Sequence, residues 1–272
     1  MADLPPSPSW QYPAFDVVEF FPRKTRYCVC VFVLNEGERI QRQLAAMKPY
    51  AAFGDILVAD GGSRDGSLEP GFVREQGVRA ILTKTGPGKL SAQMRMAMAF
   101  AMKEGYEGVV VIDGNNKDGV EAIPSFFEAL NQGIDHVQGS RYVKGGRAIN
   151  TPFARHWGVL ILHAPVISLA AGRRYTDTTN GFRAYSRRFL LDPRVRPFRD
   201  VFVGYELHYY LAIRAARLKF KVKEIPVSRA YPKSGKTPTK ISGWRGNLMV
   251  LRTLRDAALG KYNPTDDHPS SP

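Results

Sequence analysis

"VVVIDGNNKDG", residues 109–119, sets the apolar run Val109 to Ile112 directly against six polar or flexible positions, Asp113 to Asp118. An apolar, β-branched run closed by turn residues reads as a strand covered on both faces. Asp113 then stands at its carboxyl end. Asp113 and Asn115 flank Gly114, so both side chains can reach one hard cation. Magnesium or manganese held by one or two protein oxygens plus substrate phosphates is the usual arrangement at nucleotide sites. The competing reading ends a strand at Asp113 and pairs Asp118 with Glu121 as a capping box for the helix "IPSFFEAL". It is adopted for Asp118 and Glu121, while Asp113 is assigned to metal.

Three further strands precede this one: "YCVCVFVL" from Tyr27, "DILVAD" ending at Asp60, and a short run from Arg79 to Thr83. Between them, Ile40, Leu44 and Met47 mark one face of a helix, and Met94, Met98 and Met102 another, with Ser91 as its expected N-cap. Alternating strands and helices with short connections predict an α/β fold with a mainly parallel sheet. Beyond it, "HVQGSRYV" and "KVKEIPVSRAY" read as strands, "NGFRAYSRRFL" as a strand or turn entering a helix, and Phe153 to Ala171 and "YELHYYLAIRAARL" as helices. The segment Trp157 to Ala171 falls short of the roughly 20 residues of a membrane span and carries His163 and Pro165, so it is read as a buried helix, with an interfacial segment as the second reading. The expected organisation is an N-terminal extension over 1–26, one α/β domain over 27–245 ending in a basic loop, an amphipathic helix over 246–261, and a disordered tail over 262–272.

The chain has 272 residues, enough for a full core, and a net charge of +14 from 39 basic and 25 acidic residues. That balance favours an anionic partner without choosing among nucleotides, phosphorylated substrates, nucleic acid and acidic membranes. Cys28 and Cys30 are read as core thiols on opposite strand faces, in a reducing compartment. No secretory signal is visible, and the expected location is cytoplasmic, peripheral to a membrane, without a transmembrane helix. "GPGK" is not a Walker loop, since Thr83 stands where its first glycine belongs and Leu90 follows Lys89. "GGSRDG" lacks the dinucleotide order, the histidines lack zinc-like spacing, and no nucleophile elbow occurs.

In open parallel sheets ligands bind beyond the carboxyl ends of the strands. Polar groups follow four of them: Asn35 and Glu36 after Leu34, Asp60 with Gly61 and Gly62, Lys89, and Asp113 with Asn115.

These segments, in this order, resemble a family 2 glycosyltransferase of the GT-A fold, most closely the dolichyl-phosphate mannose or glucose synthase group, over about Val29 to Leu254. "VFVLNEGERI", "ILVADGGSRDGS" and "VVVIDGNNKD" resemble the family's first strand, nucleotide-base strand and Asp-x-Asp strand. "GSRYVKGG" and "DTTNGFRAYSRRFL" are the most distinctive matches, and "GYELHYYLAIRAARLKFKVKEIPV" resembles the segment closing the acceptor side. The resemblance departs at Gly61, where the family often has Asp, and at Asn115, where it has the second metal Asp. It implies that Leu34, Asn35, Glu36, Asp60, Gly62 and Lys89 face the nucleotide, and that Asp113 with Asn115 binds Mg2+ or Mn2+. It also implies that Arg141, Arg147 and Lys240 meet phosphate charge, that Asp177, Asn180 and Arg183 shape the acceptor cleft, and that Glu206 lies near the reaction centre. Asp113, Arg141 and Glu206 are the expected catalytic set.

The expected reaction is inverting transfer of a sugar from a GDP-mannose or UDP-hexose type donor to polyprenyl or dolichyl phosphate. A lipid phosphate, with a second pKa near ~6, is already a nucleophile at neutral pH and requires cations more than a base. A hydroxyl acceptor would require a carboxylate, for which Glu206 is the candidate. A nucleotidyltransferase is the alternative enzyme. A basic nucleic-acid-binding protein would leave the acidic rim unexplained, so no nucleic-acid partner is expected.

Overall fold

A computed structural model describes residues 10–232 and 243–265. Ten strands are present among them: β1 (Phe15–Glu19), β2 (Tyr27–Val33), β3 (Asp55–Asp60), β4 (Val78–Lys84), β5 (Gly108–Asp113), β6 (His136–Ser140), β7 (Arg147–Ile149), β8 (Arg183–Ser186), β9 (Val222–Pro226) and β10 (Ser228–Ala230). Eight form one sheet in the order β1-β4-β3-β2-β5-β8-β6-β9, and β10 pairs with β7 in a second. β2 to β5 run parallel, as do β6 and β9, whereas β1 and β8 run antiparallel to their neighbours. The expected mainly parallel α/β sheet is therefore present, with β8 inserted against the common direction.

Alternate residues of the central strands feed two cores. Val29, Val31, Ile56, Val58, Val110 and Ile112 pack toward helices Glu38–Met47 and Ile123–Asn131. Cys28, Cys30, Leu57, Leu82, Val109 and Val111 pack toward helices Leu90–Lys103 and Glu206–Arg217. Covering both faces is why these strands read as unbroken apolar runs. Residues two apart share a strand face, so Cys28 and Cys30 both enter the second core, and the expectation of opposite faces fails.

Other boundaries also move. The stretch read as a loose N-terminal extension supplies β1, and Trp10 packs at a tilt on Phe198 with centroids 4.3 Å apart; residues 1–9 lie outside the described residues. Helix Leu90–Lys103 has Lys89, not Ser91, at its N-cap, and the Ser91 hydroxyl accepts from the Leu207 N–H at 3.1 Å. "KVKEIPVSRAY" divides into β9 and β10, which belong to different sheets. The last helix is Gly243–Ala258, and Tyr262, placed by sequence in a disordered tail, packs beside Phe202.

The helical run Phe153–Ala171 departs most from expectation. It is 19 residues long, with a wider turn over Val159–His163, and it is long and apolar enough to cross a membrane. It is not a buried helix. Ile167 and Ala171 pack inward, but Phe153, Ile161 and Leu169 are 79%, 69% and 83% exposed.

Candidate active site

The order of the sheet reverses beside β2, which pairs with β3 on one side and β5 on the other, and such a switch point opens a crevice at the carboxyl ends. Register puts Val33 opposite Asp60 and Phe32 opposite Asp113, so the three strand ends share a rim. The Gly61 N–H donates to the Val33 carbonyl and the Gly114 N–H to the Phe32 carbonyl, each at 2.8 Å. A Cβ at Gly114 would meet the Phe32 carbonyl oxygen at 2.9 Å, so only glycine permits this approach.

The first two loops are laced together. Asn35 takes positive φ (48°), its N–H donates to Ser63 Oγ at 2.9 Å, and its Oδ1 accepts from the Arg64 N–H at 2.8 Å. The Gly37 N–H donates to Asp65 Oδ2 at 2.8 Å. Between them lies a cavity of about 510 Å³ lined by Asn35, Glu36, Arg39, Arg42 and Asp65. Asp60 does not line it; it is buried and accepts from the Ser63 N–H at 3.0 Å and from Ser63 Oγ at 2.6 Å, so this turn already uses part of its accepting capacity. Leu34 and Lys89 are exposed at the same rim, and Gly62 takes the positive φ (95°) that the turn after Asp60 requires.

Asp113 is the centre of a charged cluster that sequence reasoning did not find. Its Oδ2 accepts from Arg229 Nη2 at 3.1 Å and from Asn115 Nδ2 at 3.4 Å, while a quarter of the side chain stays exposed. Arg229 also pairs with Asp118, whose side chain is fully buried. Burial pushes the Asp113 carboxyl up, but Arg229, Lys117 and His208 outweigh it and hold the group below the usual carboxylate range. Burial, reinforced by Arg229, pushes Lys117 down to about 8. His208 is driven by burial, then by Arg183, down to about 3, and neither of its ring nitrogens has a hydrogen-bond partner. Gln43 clamps the loop from below, its Nε2 donating to the Asp113 carbonyl at 2.9 Å and its Oε1 accepting from the Asn116 N–H at 2.7 Å. The capping-box reading is overturned: Asp118 serves Arg229, and Glu121 accepts from Ser228 Oγ at 2.8 Å.

The residues expected around the acceptor divide. Arg141 and Asp177 form a buried bidentate pair at 2.6 and 2.9 Å, and Arg141 also reaches Thr179 Oγ1 at 2.8 Å. Arg183 is fully buried and donates to the carbonyls of Asn180, His208 and Thr178 at 2.9, 2.6 and 2.7 Å. Both guanidiniums are engaged inside the protein, Arg141 by Asp177 and Thr179 and Arg183 by three carbonyls, two of them in the segment 176–182. Asn180 Oδ1 accepts from the Phe182 N–H at 2.9 Å while its Nδ2 is buried without a partner. Next to it, Gly181 lies so close to Asp113 that a Cβ there would stand 3.0 Å from Oδ1. Arg147 is exposed on β7, and Lys240 lies outside the described residues. Glu206 accepts from the Gly204 N–H at 2.6 Å in the first turn of its helix; its neighbours His208 and Tyr205 feel the charge of Asp113.

Among the described residues no group of three or more His, Cys, Asp or Glu forms a metal cage. The donor set fits a shared site instead. Asp113 offers one partly exposed carboxylate, and Asn115 Oδ1 is buried without a hydrogen-bond partner. Two protein oxygens completed by substrate phosphates suit a magnesium-like ion.

No family model matches the chain. It is 25% identical over 237 residues to glycosyltransferase AglJ of Haloferax volcanii, covering 87% of this chain and 73% of that one. To undecaprenyl-phosphate mannosyltransferase of Micrococcus luteus it is 28% identical over 226 residues, covering 81% and 89%. Among solved structures, glucosyl-3-phosphoglycerate synthase of Mycobacterium tuberculosis with Mn2+, UDP-glucose and phosphoglyceric acid matches with a TM-score of 0.59 at 17% identity, covering 85% and 79%. The resemblance read from the motifs is thereby supported by curated transferases, and the GT-A fold by the structural neighbours.

Proposed function

We propose that this homologue of polyprenyl-phosphate mannosyltransferases with a GT-A fold is an inverting glycosyltransferase, moving a hexose from a nucleotide diphosphate sugar to a polyprenyl phosphate. The observation that carries the reading is Asp113, partly open at the switch point and set among cations, where a sugar diphosphate would meet both metal and protein charge. The nucleotide base and ribose are assigned to the cavity beside Asn35, Glu36 and Asp65, with Asp60 tied to the same loops through Ser63. Asp113 and Asn115 would hold Mg2+ or Mn2+, which neutralises charge building on the departing diphosphate. The loop that carries Asn180 and Gly181 closes the far side of Asp113, and the Arg141–Asp177 pair fixes that loop.

A lipid acceptor is supported by the relatives' names and by the helix Phe153–Ala171. Its exposed Phe153, Trp157, Ile161 and Leu169 form an apolar face with Arg173 and Arg174 just beyond its end, which suits an anionic membrane surface. A phosphate acceptor is already nucleophilic, so the chemistry does not depend on Glu206 as a base; a hydroxyl acceptor would. The test incubates the full chain with manganese and a panel of nucleotide sugars, following nucleoside diphosphate release with and without polyprenyl phosphate. Release that ignores the lipid phosphate but follows a soluble hydroxyl acceptor would overturn the lipid reading. Release of pyrophosphate would replace transfer of sugar with transfer of nucleotide.

A further inference from the structure

Two features bind Arg229 to Asp113 more firmly than a surface ion pair. Its guanidinium spans two carboxylates, Asp113 at 3.1 Å and the fully buried Asp118, and is itself 7% exposed. Its backbone is held as well: residues 118 and 229 form an isolated bridge, the Ala230 N–H donates to the Lys117 carbonyl at 2.8 Å, and the Gly119 N–H to the Ser228 carbonyl at 2.9 Å. Lys117 adds a second buried cation, its ammonium 5.2 Å from the Tyr231 ring centroid. The guanidinium therefore cannot swing away at little cost.

Charge then decides what the site accepts. Arg229 already occupies Asp113 from one side while it is held by Asp118 from the other, so a fixed positive charge stands beside the carboxylate before any ion enters. A divalent ion arriving alone meets a carboxylate whose Oδ2 is already shared with a guanidinium, and sets two more positive charges beside that cation in a partly buried site. Arriving with a diphosphate, it brings the anion that offsets them. We infer that Arg229 is the resident counter-cation of Asp113, and that it keeps a divalent ion from binding until the diphosphate of the donor is present. The inference rests on the proposed role of Asp113 as a metal carboxylate, and it makes ion and nucleotide bind as one unit.

Manganese binding to the full chain, followed by the loss of the free-ion paramagnetic resonance signal without nucleotide, tests it. Arg229→Met is expected to bind manganese at least ~10-fold tighter than the wild type, because one unit charge a few ångströms from the ion has been removed. Arg229→Lys, which keeps the charge, should stay close to the wild type. Since Arg229→Met strands two carboxylates, Arg229→Gln, which removes the charge but leaves an amide donor for them, serves as a second carrier of the same prediction, and thermal melting confirms that each is folded. Equal manganese affinity in wild type and both charge-removed variants overturns the inference. A separate arm adds UDP or GDP to the wild type, with a gain in manganese affinity of at least ~10-fold expected. If neither nucleotide brings manganese in while Arg229→Met still gains affinity, the nucleotide-sugar reading falls and the counter-cation role of Arg229 stands.

Discussion

The two ends of the central sheet solve opposite problems with similar residues. At the amino ends, Asp55 opens β3, Arg79 lies in β4 and Tyr106 precedes β5. The Tyr106 hydroxyl donates to Asp55 Oδ2 at 2.6 Å, Arg79 Nη1 donates to Tyr106 at 3.1 Å, and Arg79 Nη2 reaches Glu104 and Glu19 at 2.5 and 3.2 Å. The Lys24 and Thr25 N–H groups donate to the same Asp55 oxygen at 3.0 and 3.3 Å. Of the groups named at this end, only Arg79 Nε is buried without a partner. At the carboxyl ends, Asp113 keeps a quarter of its side chain exposed, and Asn115 Oδ1, Asn180 Nδ2 and both His208 nitrogens are buried without partners. Buried polar atoms without hydrogen bonds cost stability, and here they gather around one open carboxylate. A closed network holds a fold together, and an incomplete one leaves places for a ligand.

The largest effect that separates the ends is expected from Asp113→Ala. Removing a group that organises charge at a reacting diphosphate should lower turnover by about 10³-fold, or ~4 kcal/mol, while the melting temperature changes little. Nucleoside diphosphate release against the melting curve checks both halves; retained turnover would remove Asp113 from the chemistry. The mirror experiment is Asp55→Ala. Stranding the Tyr106 hydroxyl and two backbone N–H groups should cost about 3 kcal/mol of stability in denaturant titration, with turnover per folded molecule unchanged.

Acid should find the carboxyl end first. His208 has its folded pKa pushed down to about 3 by burial and Arg183, so below the ordinary value of 6.5 the unfolded chain takes a proton that the folded chain refuses. The unfolded state binds more protons between these values, and stability must fall as pH drops through that window. Between pH 6.5 and 5 the loss assigned to His208 is about 2 kcal/mol. His208→Gln should flatten that limb; an unchanged slope would mean that His136, also pushed down by burial, or other groups carry it.

How much of this was legible follows from sequence distance. Asn35, Asp60 and Asp113 end strands that announce themselves locally, so the rim could be read directly. Arg229 could not, because it lies 111 residues from Asp118 and 116 from Asp113 and no short motif links them. "GSRY" identified Arg141 but not its pairing with Asp177, 36 residues on, which occupies two of its donors. Asp118 and Glu121 met the spacing of a capping box, yet each found a stronger partner across the chain. The helix Phe153–Ala171 was illegible for another reason: apolar composition does not say which residues of a helix find a place in the core.

The finest test of the comparison is Gly181→Ala, which adds one methyl group at the open end and touches nothing at the closed one. The new Cβ would lie 3.0 Å from Asp113 Oδ1, 3.4 Å from its Cγ and 3.5 Å from Oδ2. That is closer than a methyl group sits comfortably against oxygen, so the carboxylate must turn by a few tenths of an ångström. It cannot turn freely, because Arg229 holds Oδ2 at 3.1 Å and Gln43 holds the carbonyl of the same residue at 2.9 Å. A misplaced ligand oxygen weakens the grip on ion and diphosphate together, and turnover should fall about tenfold, ~1.4 kcal/mol, with stability nearly unchanged. Turnover within twofold of the wild type would show that Asp113 adjusts without loss, and that the 176–182 loop is not what aims it.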